Sequence, residues 1–87
     1  LDAEHGATNP MVVHSQLAAL SGSSTAAMVR LPSHDASVIK QYLDLGVDGL
    51  MVPSVDTAEQ AQAVVRLTQY PPHGIRGIAG SVRATNY

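Results

Sequence analysis

The sequence predicts an α/β fold made of about three βα units around a parallel sheet. Helical and strand patterns alternate along the chain, which is the pattern of repeated βα units. The step from Val29 to Val52 is 23 residues with a helix between them, one βα repeat. The strand-like stretches are continuously apolar rather than alternating, as expected of strands buried on both faces.

The first helix starts at Asn9-Pro10, an N-cap amide followed by proline in the first turn. Val13, Leu17 and Leu20 follow at helical spacing, and Ser21-Gly22-Ser23-Ser24 ends the element. Ala26 to Leu31 is a short apolar run reaching Arg30, expected to be a fully covered strand. Asp35 is expected to cap a second helix that turns Val38, Ile39, Tyr42 and Leu43 inward and stops at Gly46. Gly49-Leu50-Met51-Val52 reads as the next buried strand, closed by Pro53. Thr57 with Gln60 forms a capping box for a third helix, with Ala61, Val64, Val65 and Thr68 on its inward side. Pro71-Pro72 breaks that helix, and residues 72–77 form a loop.

Composition narrows the function classes. At 45% hydrophobic and 14% charged, the chain carries a globular interior and is not disordered. Five Lys+Arg against seven Asp+Glu give a net charge of −2, which argues against a nucleic-acid or anionic-membrane partner. The absence of cysteine removes disulfides, thiolate metal sites and cysteine nucleophiles. No apolar run approaches the roughly 18 residues of a membrane span, and no signal-peptide layout is present, so a cytoplasmic location is expected. The 87 residues amount to about half of a typical domain. The opening at Leu1 without an initiator methionine, in what reads as the tail of a strand, gives the expectation of an internal segment of a larger protein.

Two architectures suit parallel βα units: a (β/α)8 barrel and an open doubly wound sheet. No GxGxxG or GxxxxGK[ST] follows a strand, so a nucleotide-binding open sheet loses support. A barrel takes about 250 residues, so the chain would hold roughly a third of one. In either fold, ligands bind at the carboxyl ends of the strands. Those ends carry Asp2, Glu4 and His5, then Arg30, then Pro53-Ser54.

His5 could act as a general base oriented by Asp2 or Glu4; an ordinary loop histidine is the competing reading. Arg30 could hold a carboxylate or developing enolate through its planar fork, or form a strand-end salt bridge. Asp2 and Glu4 could touch a metal, although D-x-E-H alone falls short of a three-ligand site. His14, His34 and His73 read as structural, and Lys40 and Arg66 as solvated helix faces. The only lysine, Lys40, is mid-helix rather than at a strand end, which argues against Schiff-base aldolase chemistry. Asp44 lies in the last turn of its helix, where the macrodipole disfavours a carboxylate.

Asp2-Ala3-Glu4-His5-Gly6 resembles the metal-dependent class II pyruvate aldolases of the HpcH/HpaI type. The likeness continues through Met28-Val29-Arg30-Leu31-Pro32, Leu43-Asp44-Leu45-Gly46, Leu50-Met51-Val52-Pro53 and Pro71-Pro72-His73-Gly74-Ile75-Arg76-Gly77. Essentially all 87 residues are covered, in order and with the family's spacing. Among the members of that family, the sequence resembles the 2-dehydro-3-deoxyglucarate and 4-hydroxy-2-oxoheptanedioate aldolases. Ala3 and Ser54 depart from residues common at those positions, which bears on aldehyde specificity.

The resemblance implies a partial (β/α)8 barrel from an enzyme that reversibly cleaves a 4-hydroxy-2-oxo acid into pyruvate and an aldehyde. It implies a catalytic set of His5 as base, Arg30 as the enolate-stabilising group and Asp44 as a carboxylate that raises the histidine's basicity, with Asp2 and Glu4 in support. Asp44 belongs to the far end of its βα layer, so it is expected to act on a neighbouring subunit in a homo-oligomer, a hexamer by resemblance. A divalent cofactor follows, Mg2+ or Mn2+, with Co2+ also suitable, its ligands expected beyond Tyr87. The expected partner is a small keto acid. A citrate-lyase or malyl-coenzyme A lyase-like activity is the second enzyme reading, and a non-catalytic βα fragment is the third.

Overall fold

A computed structural model describes all residues 1–87. The order is α1 (Pro10–Ala19), β1 (Met28–Arg30), α2 (Ala36–Asp44), β2 (Gly49–Met51) and α3 (Ala58–Thr68), then a 3₁₀ turn at Arg83–Thr85. The strands β1 and β2 are parallel, pairing Met28 with Gly49, Val29 with Leu50 and Arg30 with Met51. Val29 therefore faces Leu50, two residues short of the Val52 that the sequence spacing suggests. Residues 1–3 run along the other side of β1 through a parallel bridge between Asp2 and Arg30. Arg30 N–H donates to the Leu1 carbonyl and Ala3 N–H to the Arg30 carbonyl, each at 2.9 Å. The layer thus has three parallel members with β1 in the middle.

Local chemistry accounts for the helix limits. Asn9 accepts the Val12 N–H at 3.0 Å, and Pro10 supplies a first-turn residue whose missing N–H costs nothing there. Gly46 ends α2 with φ +78°, a conformation that residues with a Cβ avoid. The Thr57–Gln60 capping box is formed in both directions, each bond 3.1 Å. Asp35 occupies the N-cap position of α2, but its carboxylate bonds no backbone N–H and instead accepts the Ser33 hydroxyl at 2.8 Å. The expected side-chain cap is not made; a local side-chain hydrogen bond takes up the carboxylate instead.

The core lies on one side of the sheet: Val13 and Leu17 from α1, Ile39 and Tyr42 from α2, and Ala3, Ala27, Val29 and Leu31 from the strand layer. Leu31, Ile39, Val13 and Val29 are fully enclosed, so truncating Leu31 or Ile39 to alanine should cost roughly 2–5 kcal/mol. Burial also pushes the Tyr42 phenol above its usual range.

Two features of the packing differ from what the sequence predicts. The strands are covered on one face only: Met28 and Met51 are 51% and 60% exposed. Period-two geometry sends Met28 and Arg30 to the face opposite Val29, and the helices cover only the latter. In α3, Val64 and Leu67 pack against the core, while Ala61 and Val65 face outward. An element with one flank on α2 buries a stripe three residues apart, and Leu67 supplies the apolar surface that Val65 was expected to give.

Candidate active site

The carboxyl end of the strand layer brings Asp2, Glu4, His5 and Arg30 together. Arg30 Nε donates to Asp2 Oδ1 at 3.0 Å and Nη2 to Oδ2 at 2.6 Å, a two-pronged ion pair between cross-strand neighbours. Asp2 Oδ1 also accepts the backbone N–H groups of Glu4 (3.0 Å) and His5 (3.2 Å), so the same carboxylate shapes the turn that follows it. Gly6 completes that turn: a Cβ there would lie 2.5 Å from the Asp2 carbonyl oxygen. The guanidinium bond, aided by the two N–H groups, holds the Asp2 carboxyl well below the usual carboxylate range despite partial desolvation. Asp2 in turn raises the Arg30 guanidinium above its ordinary value.

Glu4 links the remaining two members. Its Oε2 lies 3.4 Å from Arg30 Nη1 and 3.4 Å from His5 Nε2. The His5 side chain is 71% exposed, so its ring is reachable by a ligand from solvent. Arg30 is half-buried, with Nη1 the nitrogen that Asp2 leaves free. Beyond β2, Ser54 adopts φ +56°, a left-handed conformation uncommon for a residue with a side chain, at the same end of the sheet.

Asp44 is not part of this cluster. The helix α2 runs back from the carboxyl end of β1, so its last residue sits at the amino end of β2. There Asp44 Oδ1 accepts Arg76 Nη2 at 3.0 Å, and the pair is largely buried. Arg83 Nη1 donates to the Leu45 carbonyl (3.0 Å) and its Nη2 reaches the Leu17 carbonyl (3.4 Å), tying the ends of α2 and α1 together. These cations explain how a carboxylate persists at the negative end of a helix. Sequence reasoning passed over both arginines. The unfavourable placement of Asp44 is the available signal for a nearby cation, but a partner 32 residues downstream cannot be picked out by spacing. Asp48 was also missed: its Oδ2 accepts the Ala27 N–H at 2.7 Å and aligns the starts of β1 and β2.

His14 lies exposed on α1, His34 is partly covered, and His73 is exposed in the loop after α3. Lys40 and Arg66 are exposed on their helices. No three side chains of histidine, aspartate or glutamate converge as a metal site would need. Asp2 has both oxygens committed to Arg30, and Glu4 lies between two cationic or protonatable groups, so the residues present do not fit a divalent ion.

A parallel βα unit with a histidine, two carboxylates and an arginine at its strand ends has the layout of an α/β ligand site. The profile of the HpcH/HpaI aldolase/citrate lyase family matches residues 1–85, and the chain belongs to that family. It is 47% identical over its whole length to a hydroxypyruvate/pyruvate aldolase of Chromohalobacter salexigens, of which it covers 35%. It is 46% identical over its whole length to a 5-keto-4-deoxy-D-glucarate aldolase of Klebsiella pneumoniae, covering 34%. A crystal structure of an HpcH/HpaI aldolase/citrate lyase family protein from Burkholderia cenocepacia superposes with a TM-score of 0.92 at 37% identity, over 99% of this chain and 36% of that one. The chain therefore spans about a third of the length of these relatives. No helix is long and apolar enough to cross a membrane.

Proposed function

We propose that the chain forms about a third of a (β/α)8 barrel in a pyruvate aldolase, one that cleaves a 4-hydroxy-2-oxo acid to pyruvate and an aldehyde. The observation that carries this reading is the Asp2–Arg30 pair with Glu4 and His5 at the strand carboxyl ends. The aldolase names of the relatives support it over the coenzyme A lyase reading.

In this proposal His5 takes the proton of the C4 hydroxyl. The C3–C4 bond breaks, its electron pair passes into the pyruvate enolate, and the aldehyde leaves. The proton returned to C3 completes pyruvate. Arg30 meets the charge that develops on the enolate oxygen through Nη1, while Asp2 fixes the guanidinium by its other two donors. Glu4 steadies His5. Asp44 acts on His5 of a neighbouring subunit in a homo-oligomer, since its own His5 lies at the other end of the βα layer. The divalent ion implied by the family resemblance, Mg2+, Mn2+ or Co2+, finds no ligand set among these residues, and its ligands are assigned to the two-thirds of the family's length outside this chain.

The test is pyruvate release from 4-hydroxy-2-oxo acids. The full-length enzyme should release pyruvate, and the purified 87-residue chain should not, even with added Mn2+. Turnover by the short chain, or none by the full-length enzyme with any such acid, would refute the proposal.

A further inference from the structure

We infer that Arg76 is the positioning residue that fixes the Asp44 carboxylate, an inference that rests on the role proposed for Asp44 above. The loop after α3 is held so that it can deliver one side chain. Ile75 N–H donates to the Arg66 carbonyl at 2.8 Å, Arg76 N–H to the Gln69 carbonyl at 2.9 Å, and Gly74 N–H to the Tyr70 carbonyl at 3.1 Å. Gly74 is buried, and a Cβ there would overlap the carbonyl oxygens of Arg66 and Gln69. The backbone at Arg76 is therefore anchored to the end of α3.

The side chain is equally constrained. Its guanidinium carbon lies 4.6 Å from the centre of the Tyr70 ring, which supports the planar group from one side. Nη2 bonds Asp44, and no other acidic group pairs with this arginine. Its Nε is buried without a hydrogen-bond partner, which costs free energy in any fold. Asp44 is thus the one charged partner of this anchored arginine.

Asp44 shows the complementary half. Only Oδ1 accepts a hydrogen bond from the chain. Asp44 also lines an open groove of about 580 Å³ beside Lys40, Gln41 and Arg83. Arg83 spends its donors on the carbonyls of Leu45, Gly46 and Leu17, and Lys40 makes no ion pair, so neither orients the carboxylate. The carboxylate is thus held by one oxygen while the other accepts no hydrogen bond from the chain, which leaves it an acceptor for a donor entering the groove.

The test compares Asp44→Asn, Arg76→Met and the double variant in the full-length enzyme, with oligomer size and thermal midpoint recorded for each. Arg76→Met should lower kcat by up to roughly 10²-fold, the cost of about 1 Å of misplacement, and leave KM nearly unchanged. The double variant should be no slower than Asp44→Asn alone, because the two side chains act as a unit. Arg76→Lys should recover part of kcat. Should Arg76→Met not assemble, Arg76→Lys combined with Asp44→Asn decides, and must add nothing to Asp44→Asn. Losses that multiply, or a lowered midpoint with kcat intact in Arg76→Met, overturn the inference. A loss in Asp44→Asn with none in Arg76→Met strikes the positioning role alone. An unaffected kcat in Asp44→Asn removes the role proposed for Asp44 and this inference with it.

Discussion

Asp2 and Arg30 are neighbours twice over: they face each other across a parallel bridge, and their side chains close a two-pronged ion pair at 3.0 and 2.6 Å. The backbone register places the groups, and the ion pair then decides which guanidinium nitrogen Asp2 leaves free. That nitrogen is Nη1, 3.4 Å from Glu4. In the function proposed above, a substrate oxygen arriving there would meet a donor whose orientation is already set, which would reduce the ordering needed at binding.

Replacing Arg30 removes that donor. In the full-length enzyme, Arg30→Ala should lower kcat/KM by on the order of 10²–10³, the usual range for one donor to a developing oxyanion. Affinity for oxalate, a planar enolate mimic, should fall with it. Oxalate binding that stays intact, measured by calorimetry, would leave Arg30 as a strand-end ion pair only.

The Asp2 carboxyl makes stability depend on acid. Its folded value lies below the ~3.9 expected of the unfolded chain, so between those values the unfolded state binds more protons and stability rises with pH. The contribution is complete above about pH 5 and is lost as pH falls through the depressed folded value. Urea titrations at several pH values should show Asp2→Asn less stable than the parent at neutral pH, with the gap narrowing below about pH 4. A gap that does not change with pH would mean the pair contributes through shape rather than charge.

Sharing of sites between subunits has its own signature. Inactive His5→Ala and inactive Asp44→Ala subunits of the full-length enzyme should regain activity when mixed under exchange conditions. Some interfaces would then pair an intact His5 with an intact Asp44. Continued inactivity after exchange is confirmed by mass would confine Asp44 to its own chain.

Gly46 offers a backbone test. It has φ +78°, and an added Cβ would lie 3.1 Å from Arg83 Nη1 and 3.3 Å from the Ala84 Cα. Gly46→Ala should therefore cost more than the roughly 1–2 kcal/mol of the left-handed conformation alone. Gly22, at φ +85° with open space around it, is the control. Equal losses of stability in Gly22→Ala and Gly46→Ala would mean that the Arg83 contact gives way freely.

The parts of the fold legible in the sequence were those set locally. Asn9-Pro10, the Thr57–Gln60 box and Gly46 mark helix ends through interactions within four residues, and all three are formed as expected. Strand burial is not legible there, because a continuous apolar run does not say how many faces are covered. Met28 and Val29 look alike in sequence and differ by an entire layer of packing. The strand-end cluster was legible because one turn carries Asp2, Glu4 and His5. The Arg76–Asp44 and Arg83 contacts were not, because they depend on where the chain returns after α3.

The open sheet face turns Met28 and Met51 into chemical reporters. Thioethers that solvent can reach are converted by peroxide to sulfoxides, which are polar and bulkier than the parent side chain. Both methionines share that face with Arg30, and the Met28 side chain lies directly against Gly49, so a sulfoxide there would crowd the joint between β1 and β2. Oxidation of this chain would thus loosen its sheet from the exposed side. In the barrel proposed above, the same two sulfurs would be screened by further strands and slow to react, so their rate would record how far that covering has advanced.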